Sequence, residues 1–93
     1  METKIFKIIA QDELKFVPSR KTESGQVAKR VIRLKDIDDY GDEFLCTVFG
    51  NLAQCNFYAG DVVAASLRFQ TREASGAYYQ DIICTNIVKL SNT

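Results

Sequence analysis

Apolar and polar side chains alternate with period two through most of this chain, and that pattern restricts it more than any other feature. The runs are "TKIFKIIAQDELKFV" (3–17), "QVAKRVIRLKDI" (26–37), "EFLCTVFG" (43–50), "DVVAASLRFQTRE" (61–73) and "AYYQDIICTNIVKL" (77–90). Successive side chains of a strand point to opposite faces, so each run reads as a half-buried strand. Polar stretches with Pro, Gly, Ser or Asp punctuate them: "PSRKTESG", "DDYGD" and "ASG". With 93 residues the chain predicts one domain, 1–93, built around one small core.

The alternation assigns faces. In the first run a break is expected near residues 11–13. In the second, Lys29, Val31, Arg33 and Lys35 share one side and Ala28, Ile32 and Leu34 the other, with Arg30 out of pattern. In the third, Phe44, Cys46 and Val48 oppose Leu45, Thr47 and Phe49. In the fourth, Leu67 and Phe69 are expected inside and Arg68, Gln70 and Arg72 outside. The fifth has apolar residues on both sides, which a bulge or two-sided burial would explain. Only "NLAQCNFYAG" (51–60) breaks the alternation. Asn51 suits a helix cap and Gly60 a helix end, which predicts a helix of about two turns. Three strands, a helix and two strands is the order of the OB-fold. The expected class is therefore all-β: a five-stranded Greek-key barrel with one short helix between strands 3 and 4. Closure hides strand edges. The rival, an open sandwich, would want more and shorter strands.

Composition removes several functions. The chain has no histidine, so no Ser-His-Asp or Cys-His nucleophile pair and no histidine metal ligand exists. No phosphate-cradling glycine loop is present, and no catalytic residue is assigned. Cys46, Cys55 and Cys84 are odd in number and form no C-x-x-C, which suits reduced thiols acting as small hydrophobes. The acid cluster Asp36, Asp38, Asp39, Asp42 and Glu43 lacks calcium-loop spacing and reads as a solvated turn. No metal or cofactor is expected. No apolar run approaches the ~20 residues needed to span a bilayer. No cleavage site follows the start, so a cytoplasmic protein without membrane contact is expected. Net charge is zero, but residues 1–35 hold nine basic against four acidic side chains. Any polyanion must be held by a local patch, because salt screens charges beyond ~8–10 Å.

The stretch "CTVFGNLAQCNFYAGDVVAASLRFQTRE" resembles the central part of bacterial single-stranded DNA-binding proteins and the related primosomal replication proteins. The matching pieces are Phe49-Gly50, Leu52-Ala53, Gly60-Asp61, and Leu67, Thr71 and Arg72. "AYYQDII" resembles the family's Tyr-x-x-acid-Val-Val strand through Tyr78, Asp81, Ile82 and Ile83, and "GQVAK" its second-strand start. The chain is also similar to an uncharacterised family of small OB-type proteins from Bacteroides-like bacteria. The resemblance implies a non-catalytic protein of DNA replication or recombination. Members stack bases on tryptophans, and here there are none. Glu43 and Ala74 occupy two of those positions, Phe49 keeps its ring, and Tyr40 stands in for another. The sequence closes on "KLSNT" without the acidic tail by which many members recruit partners, so no recruitment of that kind is expected.

A single-stranded polynucleotide brings one phosphate and one flat base per unit, and cations and exposed rings meet them. The candidate contacts are Phe49, Lys29, Arg33, Lys35, Arg68, Arg72 and Tyr78, with Arg20 and Lys21 in the loop between strands 1 and 2. The partner is single-stranded DNA, or RNA, bound by a homodimer or homotetramer. An ordinary reading stands beside each. Outward lysines and arginines are often a plain solvated face, Phe49 could be a core residue at a bulge, and at least one of Tyr78 and Tyr79, which point in opposite directions, is expected in core or interface packing. The alternative function is an OB-type protein-interaction or assembly module that binds no nucleic acid.

Overall fold

A computed structural model of the protein describes residues 2–37 and 41–91. Six strands form one sheet: β1 (Glu2–Gln11), β2 (Lys15–Pro18), β3 (Gln26–Asp36), β4 (Glu43–Phe49), β5 (Val62–Ala74) and β6 (Ala77–Ser91). The first run does break. Residues 12–14 leave the strand conformation, and β1 and β2 then pair with successive halves of the same edge of β3. The strand order is β1-β5-β6-β4-β3, and a further pairing of β1 with β3 closes the ring. This is the five-walled barrel the sequence predicts, and it excludes the open sandwich. Among the described residues no helix is long and apolar enough to cross a membrane.

The inward side chains fill the ring as the alternation requires. Phe6, Ile8, Ile32, Leu34, Cys46, Val48 and Val63 are each almost wholly buried. The Phe6 and Phe44 rings pack edge to face, with centroids 6.1 Å apart and planes at 81°. Cys46 and Cys84 are free thiols inside the barrel. Contact with Cys84, then burial, pushes the Cys46 thiol far above its ordinary pKa, so it remains protonated and packs as a small apolar group.

The two-sided apolar pattern of β6 comes from a bulge. Leu67 pairs with Cys84 while Ser66 pairs with Asn86, so Thr85 is the extra residue. One inserted residue exchanges the faces beyond it. Cys84 and Ile87 therefore both point inward although they are three positions apart, and Val88 and Leu90 face out.

Two expectations need correction. The two-turn helix over 51–60 is a single 3-10 turn, Gly50–Gln54, with no side-chain cap. The backbone groups that would extend it have other partners. Gln11 donates Nε2 to the Cys55 carbonyl at 2.9 Å and accepts the Phe57 N–H at 3.1 Å. Arg30 Nη1 reaches the same carbonyl, and the Asp61 carboxylate accepts the Tyr58 N–H at 2.8 Å. Ala53 and Phe57 then close the end of the barrel. That Tyr58 N–H holds the Asp61 carboxyl below the usual range, against the effect of its burial, and Lys89 at 3.1 Å adds to it.

The second correction is Phe69, which is 57% exposed rather than core. The described residues of β1 pair with β5 only as far as Leu67. From there β5 and β6 continue as a two-stranded arm, and Phe69 lies beyond the last described β1–β5 pair.

Candidate nucleic-acid interface

Outward side chains on β3 and β4 form the surface between two projecting arms. The register places Lys29 opposite Phe49, Val31 opposite Thr47, Arg33 opposite Leu45 and Lys35 opposite Glu43. Partners in an antiparallel pair point to the same side, so these residues cover one face in four rows. At the Phe49 end the β2–β3 hairpin carries the loop 19–25. At the Glu43 end stands the β5–β6 arm, because β4 and β6 run parallel through Thr47 and Ile83.

Phe49 is 39% exposed, so its ring is available on this face. Its backbone is fully extended (φ −126°, ψ 156°), continuing the strand to its last residue. The same row extends one strand further, because Lys15 of β2 lies opposite Lys29. The result is Lys15, Lys29 and Phe49 side by side across three strands. Sequence reasoning missed Lys15. It lies in the first alternating run, and only the hairpin pairing carries it to Lys29.

The remaining cations divide by position. Arg33 Nε binds Glu43 Oε1 at 2.7 Å, diagonally across the β3–β4 pair. Arg72 Nε binds Asp81 Oδ2 at 2.7 Å, and its guanidinium lies 5.2 Å from the centre of the Tyr79 ring. These arginines already have carboxylate partners. Lys35 belongs to the β3–β4 face beside Arg33. Arg68 lies opposite Ile83, which lies opposite Thr47, so it ends a row that runs around the barrel to another wall. Arg20 and Lys21 are exposed in the loop 19–25, where Ser19 N–H donates to the Gly25 carbonyl at 2.8 Å and Ser19 Oγ accepts the Lys21 N–H at 3.2 Å.

Tyr78 and Tyr79 point to opposite sides of the arm and are both exposed, at 74% and 46%. Neither is core. Tyr79 packs under Arg72, whereas Tyr78 shares the other side with Phe69 and Ile82. Where the arm meets β4 there is an open cavity of about 460 Å³ lined by Phe44, Leu45, Phe69, Gln80, Asp81 and Ile82. Tyr40, Asp38 and Asp39 lie outside the described residues. Among the described residues no group of three or more His, Cys, Asp or Glu side chains is placed to hold a metal ion.

The whole arrangement is similar to a solved structure, the solution NMR structure of the second OB-fold domain of replication protein A from Methanococcus maripaludis. The TM-score is 0.69 with 19% sequence identity, and the match covers 98% of this chain and 84% of that one. At that identity the likeness shows the fold, an OB-fold. No protein-family model matches the sequence, and no curated protein does.

Proposed function

We propose that this protein is a non-catalytic module that binds single-stranded DNA, or RNA, across the outer face of β3 and β4. The observation that carries the reading is the row Lys15–Lys29–Phe49, which sets an exposed ring beside two ammonium groups at the foot of one arm. A ring accepts any base by stacking, and the lysines meet the phosphates, so the protein should bind with little sequence preference. The second arm bounds the far end of the path with Tyr78 and the cavity beside Leu45. Loop cations Arg20 and Lys21 extend the path at the near end. Lys35, Arg33, Arg68 and Arg72 are secondary contacts, the arginines at 33 and 72 through whatever capacity their ion pairs leave.

The neighbour in the comparison is a domain of a replication protein, which supports the same class of partner. Within that class, the Phe49-Gly50 and Tyr78 to Ile83 pieces favour the bacterial single-stranded DNA-binding and primosomal group. The protein would act in the cytoplasm, where its three unbridged thiols stay reduced, and as a homodimer or homotetramer that lengthens the short path one barrel offers.

The test is fluorescence anisotropy with labelled oligo-dT at low and high salt. Saturable binding at low salt that weakens as salt rises is expected; no binding at low salt would overturn the reading. A second reading, a protein-interaction module, is favoured by the ion-paired state of Arg33 and Arg72 beside exposed Leu45, Phe69 and Tyr78. Charge reversal at Lys29, Arg33 and Arg72 separates the two. Lost DNA affinity with the oligomer intact supports the first, and disrupted assembly with DNA binding unchanged supports the second.

A further inference from the structure

We propose that Lys15 and Lys29 form a site for a single phosphate group next to the Phe49 ring. The inference rests on the nucleic-acid reading for the source of that phosphate, and it deepens that reading by naming where one backbone unit docks.

The first observation is the register. Lys15 and Lys29 are direct partners in the β2–β3 ladder, and such partners have Cβ atoms about 4.5–5.5 Å apart. Like charges directly opposite destabilise a strand pair. Among the described residues no carboxylate lies within ion-pair distance of either lysine. The fold thus sets two lysines in one row, neither of them in an ion pair among the described residues, and an anion between them would offset their repulsion.

The second observation is the interruption of the first strand. Residues 12–14 leave the strand conformation, though the Asp12 N–H still donates to the Val31 carbonyl at 3.0 Å, and beside them lies a pocket of about 140 Å³ lined by Lys15, Lys29, Asp12 and Glu13 among others. A water's share of liquid volume is about 30 Å³. The pocket therefore has room for a phosphate and a water or two, but not for a base with its sugar.

Arg30, the next residue after Lys29 on β3, points to the opposite face and donates its Nη1 to the Cys55 carbonyl at 3.2 Å, so the charge on this side comes from the two lysines. Asp12 and Glu13 on the pocket wall oppose that charge. They keep affinity for free anions low, so that a polyanion with further contacts along the face is preferred.

The experiment has two arms. In the first, inorganic phosphate is titrated into the 15N-labelled full chain at constant ionic strength. Saturable shifts at the amides of residues 12–15 and 29–31 are expected. Lys15→Gln and Lys29→Gln should each weaken this binding about fivefold or more, and a double Asp12→Asn, Glu13→Gln variant should tighten it. Absence of these shifts, or shifts unaltered by both lysine variants, overturns the site. The second arm measures oligo-dT affinity against salt. Each phosphate contact on a single strand contributes about 0.7 to the slope of log K against log salt. Lys15→Gln should lower the slope by about that amount, and an unchanged slope counts against the site. If oligo-dT fails to bind wild-type protein at all, the functional reading falls while the phosphate titration still decides the site. If oligo-dT binds and phosphate does not, the reading stands and the site falls.

Discussion

Phe49 is a ring at the last position of a strand, on the side turned away from the core, with more than a third of its surface in water. Its removal should cost binding and not folding. Phe49→Ala is expected to weaken oligo-dT affinity by about 1–3 kcal/mol, read by anisotropy, with the melting temperature nearly unchanged. Asp61 is the opposite case: a buried carboxylate that ties the turn at residues 58–61 to Lys89. Its folded-state pKa lies below the unfolded value. Its contribution to stability is therefore full above the ordinary carboxylate pKa of about 3.9 and is lost as pH falls through the folded value. Asp61→Asn should melt lower than wild type at neutral pH, and the two melting curves should converge in acid. Both roles were partly legible. The alternation put Phe49 on the side of Leu45 and Thr47 and the family resemblance favoured its exposure, but Asp61 read only as part of a Gly-Asp turn, because Lys89 is distant in the sequence.

The β5–β6 arm behaves differently from the barrel it grows from. Beyond Leu67 its strands pair with each other and with no described residue of β1, and described pairing between β6 and β4 is confined to Thr47 and Ile83. Its two-residue turn has both central residues at positive φ, Ser75 at 53° and Gly76 at 79°, the geometry whose twist matches paired strands. Nothing lies within 4 Å of a Cβ added at Gly76, so Gly76→Ala meets only backbone strain, about 1–2 kcal/mol. Amide hydrogen exchange at residues 71–80 should quicken by about 5- to 30-fold, while β3 and β4 keep their protection and the melting temperature holds. The hairpin was plain from "ASG" between two alternating runs. That Phe69 lies outside the core was not, since alternation states which side a residue takes but not whether a wall stands there.

Across the whole molecule, one core carries stability, and the chain that encloses it has zero net charge. Ile32 is fully buried on β3, the strand that pairs with β1, β2 and β4. Ile32→Ala should cost about 2–5 kcal/mol in urea unfolding, a large part of the 5–15 kcal/mol typical of a domain. Oligo-dT affinity of the molecules that remain folded should not change. The neutral total hides a sorting of charge. Arg33, Arg72 and Lys89 are each matched to an acid, whereas among the described residues Lys15 and Lys29 face one another without an ion pair to either. The candidate cations therefore differ in what they offer a polyanion, although as residue types they look alike.

The strands, the break in the first of them, the turn at "ASG" and the sets of side chains that share a face on β3 and β4 followed from the order of the residues. Backbone geometry sets those properties over two to four neighbours. The Arg33–Glu43 and Arg72–Asp81 pairs, the Lys15–Lys29–Phe49 row, the shortened helix and the exposed arm were decided by tertiary structure. Each depends on which distant segments come to lie opposite one another, and a pattern of period two carries no information about its partner.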